Sequence, residues 1–156
     1  TLLKHRDVLI AAAVGKPDAH AGELPVAYVQ LAKGAKATAE EIAVFVRDHI
    51  TERAAAPKEI HVVDQMPLTE VGKPAKLKLR YDAAQKAFLS AIAAALGPQA
   101  GVTVEVGPDA RHGTIAKIGI AVDRPDMRRE AVDRIHEVMN SYSMYYVIEA
   151  TYTVAQ

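Results

Sequence analysis

The residues best suited to chemistry lie in the run Pro67-Leu68-Thr69-Glu70-Val71-Gly72-Lys73-Pro74-Ala75-Lys76. Proline and glycine punctuate it as a loop, and Gly72 frees the backbone to turn immediately before a lysine. Lys73 then carries a compact positive charge on a long flexible stem, an arm able to reach into a neighbouring domain. Such a cation suits a reaction in which negative charge builds on phosphate oxygens, because a placed ammonium stabilises that transition state more than the ground state. A Gly-Lys pair by itself is more often a solvated turn, so the meaning of this one depends on its surroundings. Lys76 is a candidate phosphate-facing residue, and Lys78 and Arg80 continue the charge either as a guide for phosphates or as a solvated edge.

Other polar clusters are weaker. His20, within Asp18-Ala19-His20-Ala21-Gly22-Glu23, and the pair Asp109 and His112 each set a base near a carboxylate. No nucleophile accompanies His20 and no third ligand at metal spacing accompanies Asp109, so loop roles are expected and no metal site is assigned. The chain has no cysteine, which removes a disulfide framework and a protein thiol nucleophile, so any thiol chemistry must use an external thiol. Nineteen basic residues balance nineteen acidic ones, leaving no net field to hold a nucleic acid. The apolar runs Val8 to Val14 and Ala91 to Leu96 fall far short of the roughly 20 residues a bilayer span requires.

The elements that must position the loop can be read from periodicity. Val8 to Val14 and Val26 to Leu31 predict two strands, Thr38 with Glu41 forms a capping box, and Ile42, Phe45, Val46 and Ile50 predict a helix to about Ala54. Ile60 to Val63 predicts a third strand, and Met66 to Lys76 a loop. Asp82 is expected to cap a second helix bearing Ala84, Phe88, Ile92 and Ala95 on one face, ended by Gly97-Pro98. Val102 to Val106 and Ile118 to Val122 alternate as strands, Ala131, Ile135, Val138, Met139 and Tyr142 mark a helix, and Tyr145 to Tyr152 a last strand. The expected class is α+β: a β-β-α-β unit over residues 1–81, a linker helix over 82–97, and a second β-β-α-β unit over 98–156. The loops GKPDAHAGE from Gly15 and GPDARHG from Gly107 resemble each other, although any tight turn selects Pro, Asp and Gly, and convergence is favoured over duplication.

Several ordered blocks give the loop its context. Leu2-Leu3-Lys4-His5, Val8, Ala11-Ala12-Ala13-Val14-Gly15, Pro17-Asp18, Gly22-Glu23, Pro25-Val26-Ala27-Tyr28-Val29, Glu40-Glu41 through Val46 and His49, Pro57-Lys58, and Pro67-Leu68-Thr69 with Gly72-Lys73 follow one another from Thr1 to about Arg80. Together they resemble the C-terminal domain of the adenylate-forming, or AMP-binding, enzyme superfamily, which contains acyl-CoA synthetases, peptide-synthetase adenylation domains and firefly luciferase. Three positions, at two places, depart from the pattern: Pro74-Ala75 replaces a bulky apolar pair, and Arg6 stands where proline commonly follows histidine.

The resemblance implies a mobile lid of an AMP-forming acyl-CoA synthetase, converting carboxylate, ATP and CoA to acyl-CoA, AMP and pyrophosphate in the cytoplasm. Lys73 is implied as the catalytic lysine of the adenylation step, positioned by Pro67, Leu68, Thr69 and Gly72, with its acetylation as an off switch. ATP and magnesium would be bound mainly by a large N-terminal domain of the same polypeptide, and CoA would be the co-substrate. The hinge, phosphate loop and acyl pocket would lie before Thr1, so the chain is read as a fragment, inactive alone, of an enzyme for a fatty or aryl carboxylate. Tyr142, Tyr145, Tyr146 and Tyr152 suggest core packing or pairing with another copy, and the extension is expected to support a homo-oligomer, bind a regulator or brace the lid. The competing readings are a stand-alone binding or oligomerisation module and the lid of a carrier-protein adenylation domain.

Overall fold

Pro-Asp-Ala occurs twice in the chain, and each time the aspartate folds back onto the turn it begins. Asp18 Oδ1 accepts from the backbone N–H of His20 at 3.0 Å and of Ala21 at 2.8 Å. Asp109 Oδ1 accepts from those of Arg111 at 2.9 Å and His112 at 2.8 Å. Each turn ends on a glycine in the left-handed region, Gly22 at φ +77° and Gly113 at φ +75°, where a Cβ would add strain. Strands β1 (Val8–Asp18) and β2 (Gly22–Leu31) meet at the first turn, and β4 (Gly101–Asp109) and β5 (Gly113–Val122) at the second.

The computed structural model describes residues 1–98, 100–122 and 125–152. Its remaining elements are helix α1 (Ala39–His49), strand β3 (Glu59–Val63), helix α2 (Lys76–Leu96), helix α3 (Pro125–Met139) and strand β6 (Tyr145–Tyr152). By internal contacts the chain forms two units, Thr1–Lys16 with Glu23–Ala83, and Pro17–Gly22 with Ala84–Gln156.

In the first unit the sheet order is β1-β2-β3, and β3 lies parallel to β2 with Val26 opposite Glu59 and Gln30 opposite Val63. Parallel neighbours need a crossover, which α1 supplies. Thr38 Oγ1 accepts from the Glu41 N–H and the Glu41 carboxylate accepts from the Thr38 N–H, so the predicted capping box starts this helix. Val26, Ala27, Tyr28 and Val29 of β2 are all buried, as expected for a central strand covered on both faces. One face packs Val8 and Val29 against Ile42 and Val46 of α1. The other packs Ala12, Val14, Val26 and Tyr28 against Met66 and against Leu79 and Ala83 of α2.

The second unit repeats the plan. Its sheet order is β4-β5-β6, with β4 and β5 antiparallel and β5 and β6 parallel from Ile115 opposite Tyr145 to Val122 opposite Tyr152. Val104, Val106, Ala116, Ile118, Ile120 and Val122 are its buried strand residues, and α3 buries Ala131, Ile135 and Met139. The chain is α+β with two three-stranded sheets, as its periodicity implied.

Two helix boundaries differ from expectation. Helix α1 stops at His49, because Ile50 takes an extended conformation and packs beside Ile42 and Val46; Arg53–Ala55 is a separate 3₁₀ turn. Helix α2 begins at Lys76, well before Asp82. Burial of Leu79 and Ala83 against β2 rewards an earlier start, and Asp82, rather than capping, accepts a hydrogen bond from the Tyr28 hydroxyl. Its end is as predicted, with Gly97 at φ +79°. Among the described residues no helix is long and apolar enough to cross a membrane.

Candidate active-site loop

Proline and glycine shape the Lys73 loop, and a short ladder of backbone bonds closes it. Leu68 and Pro74 face each other in an antiparallel bridge, and the Ala75 N–H donates to the Pro67 carbonyl at 2.8 Å. Inside that rung the Thr69 N–H donates to the Lys73 carbonyl at 2.7 Å and the Gly72 N–H to the Thr69 carbonyl at 2.9 Å. The Lys73 N–H donates in turn to Thr69 Oγ1 at 3.2 Å. Gly72 sits at φ +75°, a conformation that costs a non-glycine L-residue roughly 1–2 kcal/mol. Pro67, Leu68, Thr69 and Gly72 are thus gathered around Lys73, while Lys76 lies outside the loop as the exposed first residue of α2.

The backbone of Lys73 is fully used by Thr69, but its side chain is not. It is exposed, and among the described residues no ion pair or ring contact involves its ammonium. Val71 and Leu68 beside it are also exposed, Val71 at 79%. The arrangement holds the backbone of an exposed cation in a loop that also exposes Val71 and Leu68, leaving the ammonium free to meet an anionic group.

The roots of the loop are tied to β2. Met66 is buried, and its N–H donates to Gln30 Oε1 at 2.7 Å. Beyond the loop, the Tyr28 hydroxyl donates to Asp82 Oδ2 at 2.6 Å. Burial, then the hydrogen bond to Asp82 and its charge, push the Tyr28 hydroxyl far above the ordinary tyrosine range, so it remains a donor. The Tyr28 ring lies against that of His61, 4.8 Å between centroids, and His61 Nε2 is 3.4 Å from a Glu59 carboxylate that also pairs with Lys16. Sequence reasoning missed these partners. Tyr28 and Asp82 are 54 residues apart, and no local pattern joins them.

His20 and His112 each lie in a turn that an aspartate closes. His20 belongs to the Asp18 turn through its backbone. His112 adds a contact of 3.1 Å between Nδ1 and Asp109 Oδ1 and lies against the Tyr145 ring at 4.1 Å. Hydrogen bonds from the His112 and Arg111 backbones hold the Asp109 carboxyl below its usual range. Among the described residues no three His, Cys, Asp or Glu side chains gather as a metal site. Of the tail tyrosines, Tyr142 stacks edge-on against Phe88, Tyr146 bonds His136, and Tyr145 is exposed; the Tyr152 side chain lies outside the described residues.

Residues 1–73 match the family model for the AMP-binding enzyme C-terminal domain, a match that ends on Lys73 itself. The chain is similar to that family over its first 73 residues. The chain is 40% identical over 81 residues to the 2-methylpropanoate–CoA ligase of Humulus lupulus, covering 51% of this chain and 14% of that protein. It also resembles the crystal structure of a Brucella canis acyl-CoA synthetase at 38% identity and a TM-score of 0.50, over 55% of this chain and 16% of that one. Marinolic acid–CoA ligase of a Pseudoalteromonas strain is 39% identical over 142 residues, 87% of this chain and 22% of that protein. A match of that length runs past the AMP-binding C-terminal domain into the second unit. The chain spans less than a quarter of the length of each of these relatives.

Proposed function

We propose that this chain is the mobile C-terminal part of an AMP-forming acid–thiol ligase and that Lys73 is the cation of its adenylation step. The observation that carries the reading is the exposed Lys73 ammonium on a loop closed by hydrogen bonds, with no partner among the described residues of its own unit. A cation so displayed acts on a group supplied from elsewhere. Exposed Val71 and Leu68 fit a tip that becomes covered when it docks.

In the first half-reaction a carboxylate oxygen attacks the α-phosphorus of ATP. The new P–O bond forms as the bond to pyrophosphate breaks, leaving an acyl-adenylate. Lys73 donates hydrogen bonds across the carboxylate and phosphate oxygens, aligning them and offsetting the charge that accumulates in line. Lys76, at the positive N-terminal end of α2, adds to the same field. In the second half-reaction a CoA sulfur attacks the acyl carbon, AMP departs with the electron pair, and the thiol proton passes to solvent. The absence of cysteine in this chain agrees with an external thiol.

ATP, its magnesium and the acid are assigned to a large nucleotide-binding domain of the same polypeptide, and the isolated chain is expected to be inactive. A carboxylic acid is the substrate class; the acyl pocket of the large domain chooses among acids. The test is Lys73→Ala in the intact polypeptide. Carboxylate-dependent ATP–pyrophosphate exchange should fall by about two to three orders of magnitude, the range for loss of one preorganised charge-stabilising donor. Thioester formation from supplied acyl-adenylate should be spared, and equal loss of both half-reactions would refute the role.

A further inference from the structure

Two alternate residues of β2 point the same way and reach the two roots of the Lys73 loop. Gln30 Oε1 accepts from the N–H of Met66, immediately before Pro67, at 2.7 Å. Tyr28 donates its hydroxyl to Asp82 at 2.6 Å, on the helix that leaves the loop at Lys76. Residues i and i+2 of a strand share a face, so one surface of one strand holds both the entry to the loop and its exit. We infer that Tyr28, Gln30 and Asp82 form a brace whose role is to set the position of Lys73, an inference that rests on the proposed role of that lysine.

Three features make the brace specific. Tyr28 is almost wholly buried in the central strand, with its ring against His61, so its hydroxyl is a fixed point. Asp82 lies on the same helix as Leu79 and Ala83, which pack against Tyr28 and Met66, so the polar bond sets the helix about an apolar contact that alone would permit sliding. Met66 is anchored twice, by burial of its side chain and by the Gln30 bond to its backbone. The loop between the two roots is closed by its own hydrogen bonds and moves as a piece. A shift of either root is therefore carried to Lys73, and a displacement of about 1 Å at a positioning group can cost on the order of a hundredfold in rate.

None of these residues is catalytic; each acts through the placement of the loop. The experiment uses the intact polypeptide, comparing Tyr28→Phe, Gln30→Ala, Asp82→Asn and Gln30→Glu with Lys73→Ala. For each, carboxylate-dependent pyrophosphate exchange is divided by the rate of thioester formation from supplied acyl-adenylate, a ratio that cancels loss of folded protein. Tyr28→Phe and Gln30→Ala should lower this ratio about tenfold. Asp82→Asn and Gln30→Glu retain an oxygen acceptor and should stay within about twofold of the parent. Unchanged ratios in Tyr28→Phe and Gln30→Ala beside a collapsed ratio in Lys73→Ala would overturn the brace alone. An unchanged ratio in Lys73→Ala would overturn the lysine's role and the brace's purpose with it.

Discussion

Thr69 and Lys73 hold each other by two hydrogen bonds, one from the Thr69 N–H to the Lys73 carbonyl at 2.7 Å and one from the Lys73 N–H to Thr69 Oγ1 at 3.2 Å. The first is a backbone bond any residue could make. The second needs a hydroxyl, so the side chain at position 69 reports on how tightly the lysine's backbone is placed.

Replacing Thr69 with valine keeps the shape and removes the acceptor. Because the site is exposed, the melting temperature should barely move, while pyrophosphate exchange by the intact polypeptide should drop by the equivalent of about 1 kcal/mol, roughly fivefold. A serine there should restore the rate. A valine variant with parental exchange would show that the hydroxyl is irrelevant.

Gly72→Ala places a Cβ on a residue at φ +75°, with open space around it, so the penalty is one of backbone conformation rather than of collision. A loss of about 1–2 kcal/mol in unfolding free energy, or an equivalent distortion of the loop, is expected, and asparagine should be tolerated better than alanine. Denaturant titration of the three proteins checks this, and indistinguishable midpoints together with unaltered exchange would contradict it.

Met66 fills the apolar cluster beneath the loop at 2% exposure. Truncation to alanine should cost about 2–5 kcal/mol and shift the urea midpoint of the first unit without changing the slope. Thr38→Ala, which breaks the capping box of α1, should cost only about 1 kcal/mol by the same measurement. The reverse ranking would mean that the cluster is not the main support.

The turn carboxyl of Asp109 titrates lower when folded than when unfolded, first because of the backbone hydrogen bond from His112 and then that from Arg111. Its contribution to stability is therefore complete above the ordinary value of 3.8 and is lost as pH falls through the lower, folded value. Asp109→Asn keeps an acceptor but no titrating charge, so its stability should decline less steeply on the acid side. Parallel acid limbs for the two proteins would remove Asp109 from the account.

Much of this architecture was legible before any coordinates. The capping box at Thr38 and Glu41, the alternation from Val102 to Val106, the stop at Gly97 and the paired Pro-Asp-Ala turns are all satisfied locally, by a side chain and a backbone within a few residues of each other. The loop at Lys73 belongs to the same class, since Gly72 and the prolines on either side announce it. The start of α2 was not legible. Asp82 has the chemistry of a helix cap, and only burial of Leu79 and Ala83 against another strand makes an earlier start favourable. The end of α1 is hidden for a similar reason, because Ile50 continues the helical period but is claimed by the cluster around Ile42 and Val46.

By itself the sequence determined the order of elements, the two turn-closed sheets and the identity of the exposed cation, since propensity, capping and glycine punctuation act over a few residues. What tertiary structure decided is where that cation is held. The contacts of Tyr28 with Asp82 and of Gln30 with Met66 join residues 54 and 36 positions apart. Such pairs exist only once the strands have assembled, and a hydrogen bond between distant residues leaves no period in the chain for a reader to find.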